Sequence, residues 1–265
     1  MSIKFVCAVL VALAAVQIPN ASAHNRRDIV LPTINVLDPI GTINSFNSFI
    51  LSLFGELVQV GQKAISTVEE SKKAIESLVG SVVDSARKDV ETLVEKAATD
   101  IWKAVNNSVI GTAIRIEQCA EKGIANVSGD AFKTVQNVIA CATNQANAII
   151  TPALDLIYQA QRGLSLGTEI NANLTAKCYP GGLQSINVLN FLPALMCAGG
   201  EIGSIYNTVS GVISAITTDI QNFQTTVANT RNALVRCPRD AVADFVIQIG
   251  NTVTTSANCA LGINA

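Results

Sequence analysis

From about residue 42 to residue 122, apolar positions recur at intervals of three, four and seven. Ile65, Val68, Ile75, Leu78, Val82, Ala86, Val90, Leu93, Ala97 and Ile101 form the series, and Glu69, Glu70, Lys72, Lys73, Arg87, Lys88, Glu91 and Lys96 fall mostly between them. That period marks an amphipathic helix with a wet, mixed-charge face. Gly80 and Asn106-Asn107 are its weak points, so one rod and two packed helices both remain open. Upstream, Asp38-Pro39 reads as a helix start, with Asp as cap and Pro in the first turn. Residues 24–41, with Pro32 and Pro39 and no helical period, read as extended.

After Asn107 charges thin out and Asn, Thr and Ser rise, but the period persists. Phe132, Val135, Ile139, Ala142, Ala146, Ile149, Ala153 and Ile157 form one stripe. A second is Ile205, Val209, Val212, Ile216, Ile220, Phe223, Val227 and Leu234; a third is Val242, Val246, Ile249 and Val253. None alternates as a strand would. Ser128-Gly129-Asp130, Pro180-Gly181-Gly182, Gly199-Gly200 and Pro238 punctuate them. The pattern predicts an all-α, disulfide-stapled helical bundle with a long amphipathic N-terminal helical arm. The arm covers residues 42–107, and a six-cysteine helical domain covers residues 108–265.

The cysteines organise that domain. Cys119 to Cys141 spans 22 positions, and so does Cys237 to Cys259. Cys119, Cys178 and Cys237 fall at equal intervals of 59, and each has a downstream partner, Cys141, Cys197 or Cys259, followed by Ala. With Thr-Asp-Ile ahead of both Cys119 and Cys237, this reads as a diverged internal repeat of one helical unit. A continuous helix would hold residues 22 apart at roughly 33 Å, whereas a disulfide needs Cα atoms within about 7 Å. Cys237 and Cys259 therefore should not join each other, and are expected to fasten opposite ends of one helix to two different neighbours. A turn near Ser128 with unequal arms also disfavours a Cys119–Cys141 bridge. Cys178 and Cys197 are the least constrained, because Pro180-Gly181-Gly182 could reverse the chain. The pairing itself stays open among the connectivities that six cysteines allow.

The front end explains why these are disulfide candidates. Lys4 precedes an apolar run from Phe5 to Val16, and Ala21-Ser22-Ala23 supplies small residues before a cleavage expected after Ala23. Residues 1–23 read as a secretory signal peptide, too short for a membrane anchor. Cys7 leaves with it, and the rest of the chain is expected outside the cell, where thiols oxidise. Asn106, Asn126 and Asn173 stand in Asn-x-Ser/Thr sequons and are candidate N-glycosylation sites. No later segment is long and apolar enough for a transmembrane span.

Composition narrows the chemistry further. The formal charge is −2 and only 14% of residues are charged, so no basic patch supports nucleic-acid binding. The lone histidine, His24, offers no catalytic triad, and without a Cys-x-x-Cys there is no metal-site pattern. No phosphate loop is present. Glu69-Glu70 and Glu91/Glu95 read as solvated rather than as acid–base pairs, and Trp102 as core or edge packing. The expectation is no enzyme, no cofactor and no metal.

From LMCAGGEIGSIYNTVSGVISAITTDIQNFQ through RNALVRCPRDAVADFVIQIGNTVTTSANCAL, the chain resembles the TsetseEP-type domain of insect secreted proteins. Cys197, Cys237 and Cys259-Ala260-Leu261 match its cysteine pattern, and Cys119 to Cys141 resembles its opening pair, over roughly residues 115–262. The resemblance implies a gut-lumen or other secreted insect protein and carries over no catalytic residues. The leading functional expectation is a non-catalytic extracellular interaction or structural protein, partnered by another extracellular protein or by itself through the arm. A second reading is a carrier of a small hydrophobic molecule. A third is a membrane-active venom or defence factor that inserts Ile43–Val60.

Overall fold

The computed structural model describes residues 39–107, 113–178, 180 and 191–263. The signal peptide, Ala23, His24 and the extended reading of residues 24–38 lie outside the described residues. Four helices follow: α1 (Pro39–Asn106), α2 (Ala113–Asn147), α3 (Ile150–Cys178) and α4 (Phe191–Leu261). No strand occurs among the described residues, and the expected all-α, disulfide-stapled bundle is what the chain forms.

The expected arm is a single helix of 68 residues. It opens on Pro39, where the missing N–H costs nothing, so residues 39–41 are helical rather than extended. Gly80 does not break it. Three other expected interruptions are also absent. Ser128-Gly129-Asp130 lies inside α2, and Gly199-Gly200 and Pro238 lie inside α4. Glycine weakens a helix by only about 1 kcal/mol, which flanking packing overrides. α1 does end at Asn106 and α3 at Cys178, beside the expected Asn106-Asn107 and Pro180-Gly181-Gly182, and an unexpected break lies at Ala148-Ile149, with 3₁₀-type bonds from Ala148 N–H to Gln145 O at 3.2 Å and from Ile149 N–H to Ala146 O at 3.5 Å. Pro152 explains it, since its ring would collide with the carbonyl of residue 148 in a continuous helix. α4 ends at Gly262, whose φ of 73° suits glycine. Gly262 N–H donates to Cys259 O at 3.1 Å and Ile263 N–H to Asn258 O at 3.0 Å, a Schellman closure.

Threonine-rich helices survive because their hydroxyls are satisfied within the helix. Thr92, Thr208, Thr217, Thr218, Thr225 and Thr254 each donate to the carbonyl four residues back at 2.8–3.0 Å. Buried Thr134 does the same to Asp130 O at 2.8 Å, so it brings no unpaired hydroxyl into the core.

The described chain packs as two units: residues 72–150 with 226–263, and residues 39–71 with 151–225. The boundary expected at residue 107/108 matches the end of α1 but not the packing. Val90, Ala97, Ile101 and Val105 of α1 share one core with Ala120, Val127 and Ala131 of α2 and with Phe245 and Ala260 of α4. Residues 42–107 are therefore not set apart from the cysteine-bearing helices. In the other unit, α1 meets α3 and α4 directly. Phe49 and Tyr206 rings lie 6.3 Å apart. Space at Gly163 is bounded by Leu57 of α1 and by Val212 and Ile216 of α4. Its buried side chains include Phe46, Leu53, Leu57, Leu156, Ile202, Val209, Ile216 and Phe223.

The first part of the stripe expected on α2 is displaced by one residue, while Ala142, Ala146 and Ile149 are buried as expected. Phe132 is 67% exposed, and Val135 and Ile139 are half-buried; Ala131, Thr134 and Val138 are inside instead. Likewise Phe245, rather than its exposed neighbour Val246, anchors the third stripe, with Val242, Ile249 and Val253 flanking it. The second stripe is buried along its length apart from half-buried Val212.

Candidate functional site

The three disulfides are Cys119–Cys259, Cys141–Cys237 and Cys178–Cys197. The first two join α2 to α4 at both ends of the 22-residue span. Cys237 and Cys259 thus fasten to one neighbour, not two. The geometry demands equal spans: two antiparallel helices rise equally per residue, so staples at both ends need the same spacing on each. The third closes the short connection between α3 and α4. The three pairs are used in two different ways, so their equal intervals do not correspond to three equivalent bridges.

Cys141–Cys237 sits beside Pro238, which cannot donate to the carbonyl of Leu234. The staple holds α4 next to its missing backbone bond. Between the staples the helices touch closely. A Cβ added to Gly123 of α2 would lie 2.3 Å from Ser256 Oγ of α4 and 3.4 Å from Ile101 of α1. Arg115 places its guanidinium against Gly262, at the carbonyl end of α4, where a cation is favoured.

On the same unit, α1 and α2 leave a groove of 580 Å³, open along its length. Val90, Val94, Ala131 and Val135 form its floor, Phe132 and Gln136 one rim, and Arg87, Glu91 and Glu95 the other. Phe132 stands out because the buried face of α2 is built from small residues, which draw the helix inwards and leave the larger side chain at the edge. Glu91 and Glu95 are exposed, as the charge pattern predicts, but they also line this recess. Arg87 holds only a marginal ion pair, at 4.0 Å from Asp84, with both side chains more than half exposed; such pairs contribute little. The pattern of apolar residues signalled a core face on α2, and the groove went unseen because it depends on a one-residue rotation.

A smaller recess of 180 Å³ lies between α3 and α4 in the other unit, lined by Asn173, Leu174, Ile205 and the ion pair of Lys177 with Glu201. The sequon asparagines Asn106, Asn126 and Asn173 are all exposed, so each is sterically open to modification. Trp102 lies at the edge of the core, 38% exposed.

One ionisable group escaped the pattern. Both carboxylate oxygens of Glu76 are shielded from solvent and lack a hydrogen-bond partner. Loss of hydration pushes its pKa above the ordinary carboxylate value, and Lys72 opposes that shift. Glu69 and Glu70, by contrast, are exposed. Among the described residues no three His, Cys, Asp or Glu side chains gather as a metal site would require, and no helix is long and apolar enough to cross a membrane. No family model, curated protein or solved structure matches the chain.

Proposed function

We propose that the chain is a secreted, non-catalytic interaction or structural protein, working through its helical surfaces with another extracellular protein or with itself. The observation that carries this reading is the double covalent clamp of α2 on α4. Crosslinks that close 140- and 96-residue separations restrict the unfolded chain strongly. Oxidised cysteines belong to compartments outside the cytosol. Such a clamp suits a body that must persist among extracellular proteases. The TsetseEP-type resemblance would place it in the gut lumen or another insect secretion.

The carrier reading has one supporting observation, the apolar groove between α1 and α2. A carrier site encloses most of its ligand, whereas this groove is open and its most apolar rim residue, Phe132, is two-thirds exposed. The membrane-active reading has less support. Phe46, Phe49, Ile50, Leu53 and Leu57 of Ile43–Val60 are already buried, which leaves only Leu51 and Val58 as exposed large apolar side chains among its described residues.

The test is to isolate the natural secreted product, map its disulfides and weigh it under native conditions. A ligand-free mass with Cys119–Cys259 and Cys141–Cys237 intact, and resistance to trypsin that disappears on reduction, is the expected result. Six free thiols, or a stoichiometric hydrophobic molecule in the native mass, would overturn it.

A further inference from the structure

We propose that the groove between α1 and α2 is a homodimer interface, in which a second copy docks face to face with α1 antiparallel to its counterpart. The proposal rests on the reading of the chain as an interaction protein and names the surface and the partner.

A twofold interface requires one patch to carry both a projection and the recess that receives it. Here Phe132 projects from the rim, 67% exposed, directly beside the apolar floor of Val90, Val94 and Val135. A large aromatic held out of the core next to an unfilled hydrophobic recess is the kind of anchor on which protein interfaces depend.

Charge decides between occupants. Along α1 the rim reads Arg87, Glu91, Glu95, one helical turn apart and basic at one end only. A twofold axis perpendicular to the helices reverses that order in the second copy. Arg87 of each copy then faces Glu95, at the acidic end of the other. Arg87 is available because its own pairing with Asp84 is marginal. An anionic amphiphile would meet two carboxylates on this rim, and a neutral lipid would leave all three charges unused. A second copy offers each Arg87 the Glu95 of its counterpart, with the two Glu91 side chains meeting near the axis as a repulsive element that keeps the dimer weak. Opposed charges across an interface also fix its register.

The experiment is sedimentation equilibrium of the full, oxidised secreted chain, with and without substitutions on this exposed face. Wild type is expected to dimerise with a Kd on the order of 1–100 µM, weak because the groove is short. Phe132→Asp should weaken the dimer at least about tenfold, while circular dichroism and disulfide content stay unchanged. Arg87→Glu alone, and Glu91→Lys with Glu95→Lys, should each weaken it by like-charge repulsion. Mixing those two charge variants should restore dimers, now mixed, because each mismatch becomes a match. A monomer throughout that concentration range overturns the proposal. So does a dimer indifferent to Phe132→Asp, or two charge variants that fail to rescue each other. A monomer that is still ligand-free and protease-resistant would remove this interface and leave the broader interaction reading standing. A lipid found in the groove would remove both.

Discussion

The two units hold three helices together by different means. Where α2 packs on α4, two disulfides fix both ends of the contact, and a single glycine, Gly123, allows the closest approach between them. Where α1 packs on α3, no crosslink joins the two helices, and glycines on both sides bring them close. A Cβ on Gly61 would sit 3.3 Å from Leu164, and one on Gly167 would sit 3.5 Å from Phe54. The only disulfide of that unit, Cys178–Cys197, spans 19 residues and ties α3 to α4 locally. Charge follows the same division: the long charged run of α1 lies in the clamped unit, while the glycine-packed unit is richer in buried phenylalanine. Covalent closure thus accompanies the unit with smaller buried side chains on α2, and aromatic packing accompanies the unit with fewer crosslinks.

Removing bridges should break this symmetry of outcome most visibly. With Cys141–Cys237 closed, the loop that Cys119–Cys259 completes shrinks to the two 22-residue spans, to which chain-entropy reasoning assigns about 4 kcal/mol, against about 3 kcal/mol for the loop of Cys178–Cys197. Replacing Cys119 and Cys259 together by Ser is therefore expected to destabilise the protein by the larger amount, and replacing Cys178 and Cys197 by the smaller. Denaturant midpoints of the two double variants check the order. If the Cys178–Cys197 variant were the weaker protein, the clamp would not be what distinguishes the units.

Glycine substitutions come next. Gly123→Ala places a methyl group 2.3 Å from Ser256 Oγ, and overpacking of that kind costs about 1–3 kcal/mol. The disulfides on either side limit how far α2 and α4 can separate to relieve it. Adding Ser256→Ala should recover most of the loss, because the offending atom is removed. Gly163→Ala meets the end of the Ile216 side chain at 3.0 Å, which can rotate away, so its loss should be smaller. Thermal unfolding of the three variants would test whether the clamped unit is the less forgiving one.

How much of this was legible follows from the same residues. The helical period identified the fold class, since it persists through every described helix. The 22-residue spacing correctly excluded bridges within a pair. Its duplication reads as a repeat, and equal spans are also what two antiparallel helices need if they are stapled at both ends. That signal lay in the sequence, but recognising it requires knowing that both cysteines of α2 face the same partner. The rotation of α2 was harder to see. Large apolar residues dominate a periodicity count, whereas the contact is made by Ala120, Gly123, Val127 and Ala131, whose small size matters only once Ser256 and Ile101 are beside them. The groove and the exposed Phe132 follow from that rotation and were hidden with it. Gly80 and Pro238 do not interrupt their helices; residues beside them, Leu78, Val82 and Ala241, pack in one shared cluster with Val138 of α2.

Open glycines provide a control. Gly55, in the glycine-packed unit, and Gly80, in the clamped one, have no atom within 4 Å of an added Cβ. Each substitution by Ala should stabilise by about 1 kcal/mol, the helix-propensity difference alone. Equal gains in the two units would show that glycine is costly everywhere and retained for packing only at positions such as Gly61, Gly123 and Gly163. A loss at Gly80 would mean that something covers that face of α1.

The smallest effect concerns Glu76, in the clamped unit. Its carboxylate oxygens are shielded and unpartnered, so ionisation is penalised in the folded chain and its pKa is raised, with Lys72 partly offsetting the burial. A carboxyl with a raised folded pKa binds its proton more tightly when folded than when unfolded. Its stabilising contribution is complete below the unfolded carboxylate pKa and declines as pH rises through the folded value, after which it stays constant. Wild type should accordingly lose some stability through this group on going from acid, below the ordinary carboxylate pKa, to neutral pH. Glu76→Gln should remove that component and be the more stable protein at neutral pH, with little difference in acid. Guanidinium midpoints of both proteins at the two pH values measure the difference of differences. A Gln variant that is weaker at neutral pH than at acid pH, relative to wild type, would mean that the carboxylate has found a cationic partner. Lys72 is the residue to test, and Lys72→Met should then abolish the effect.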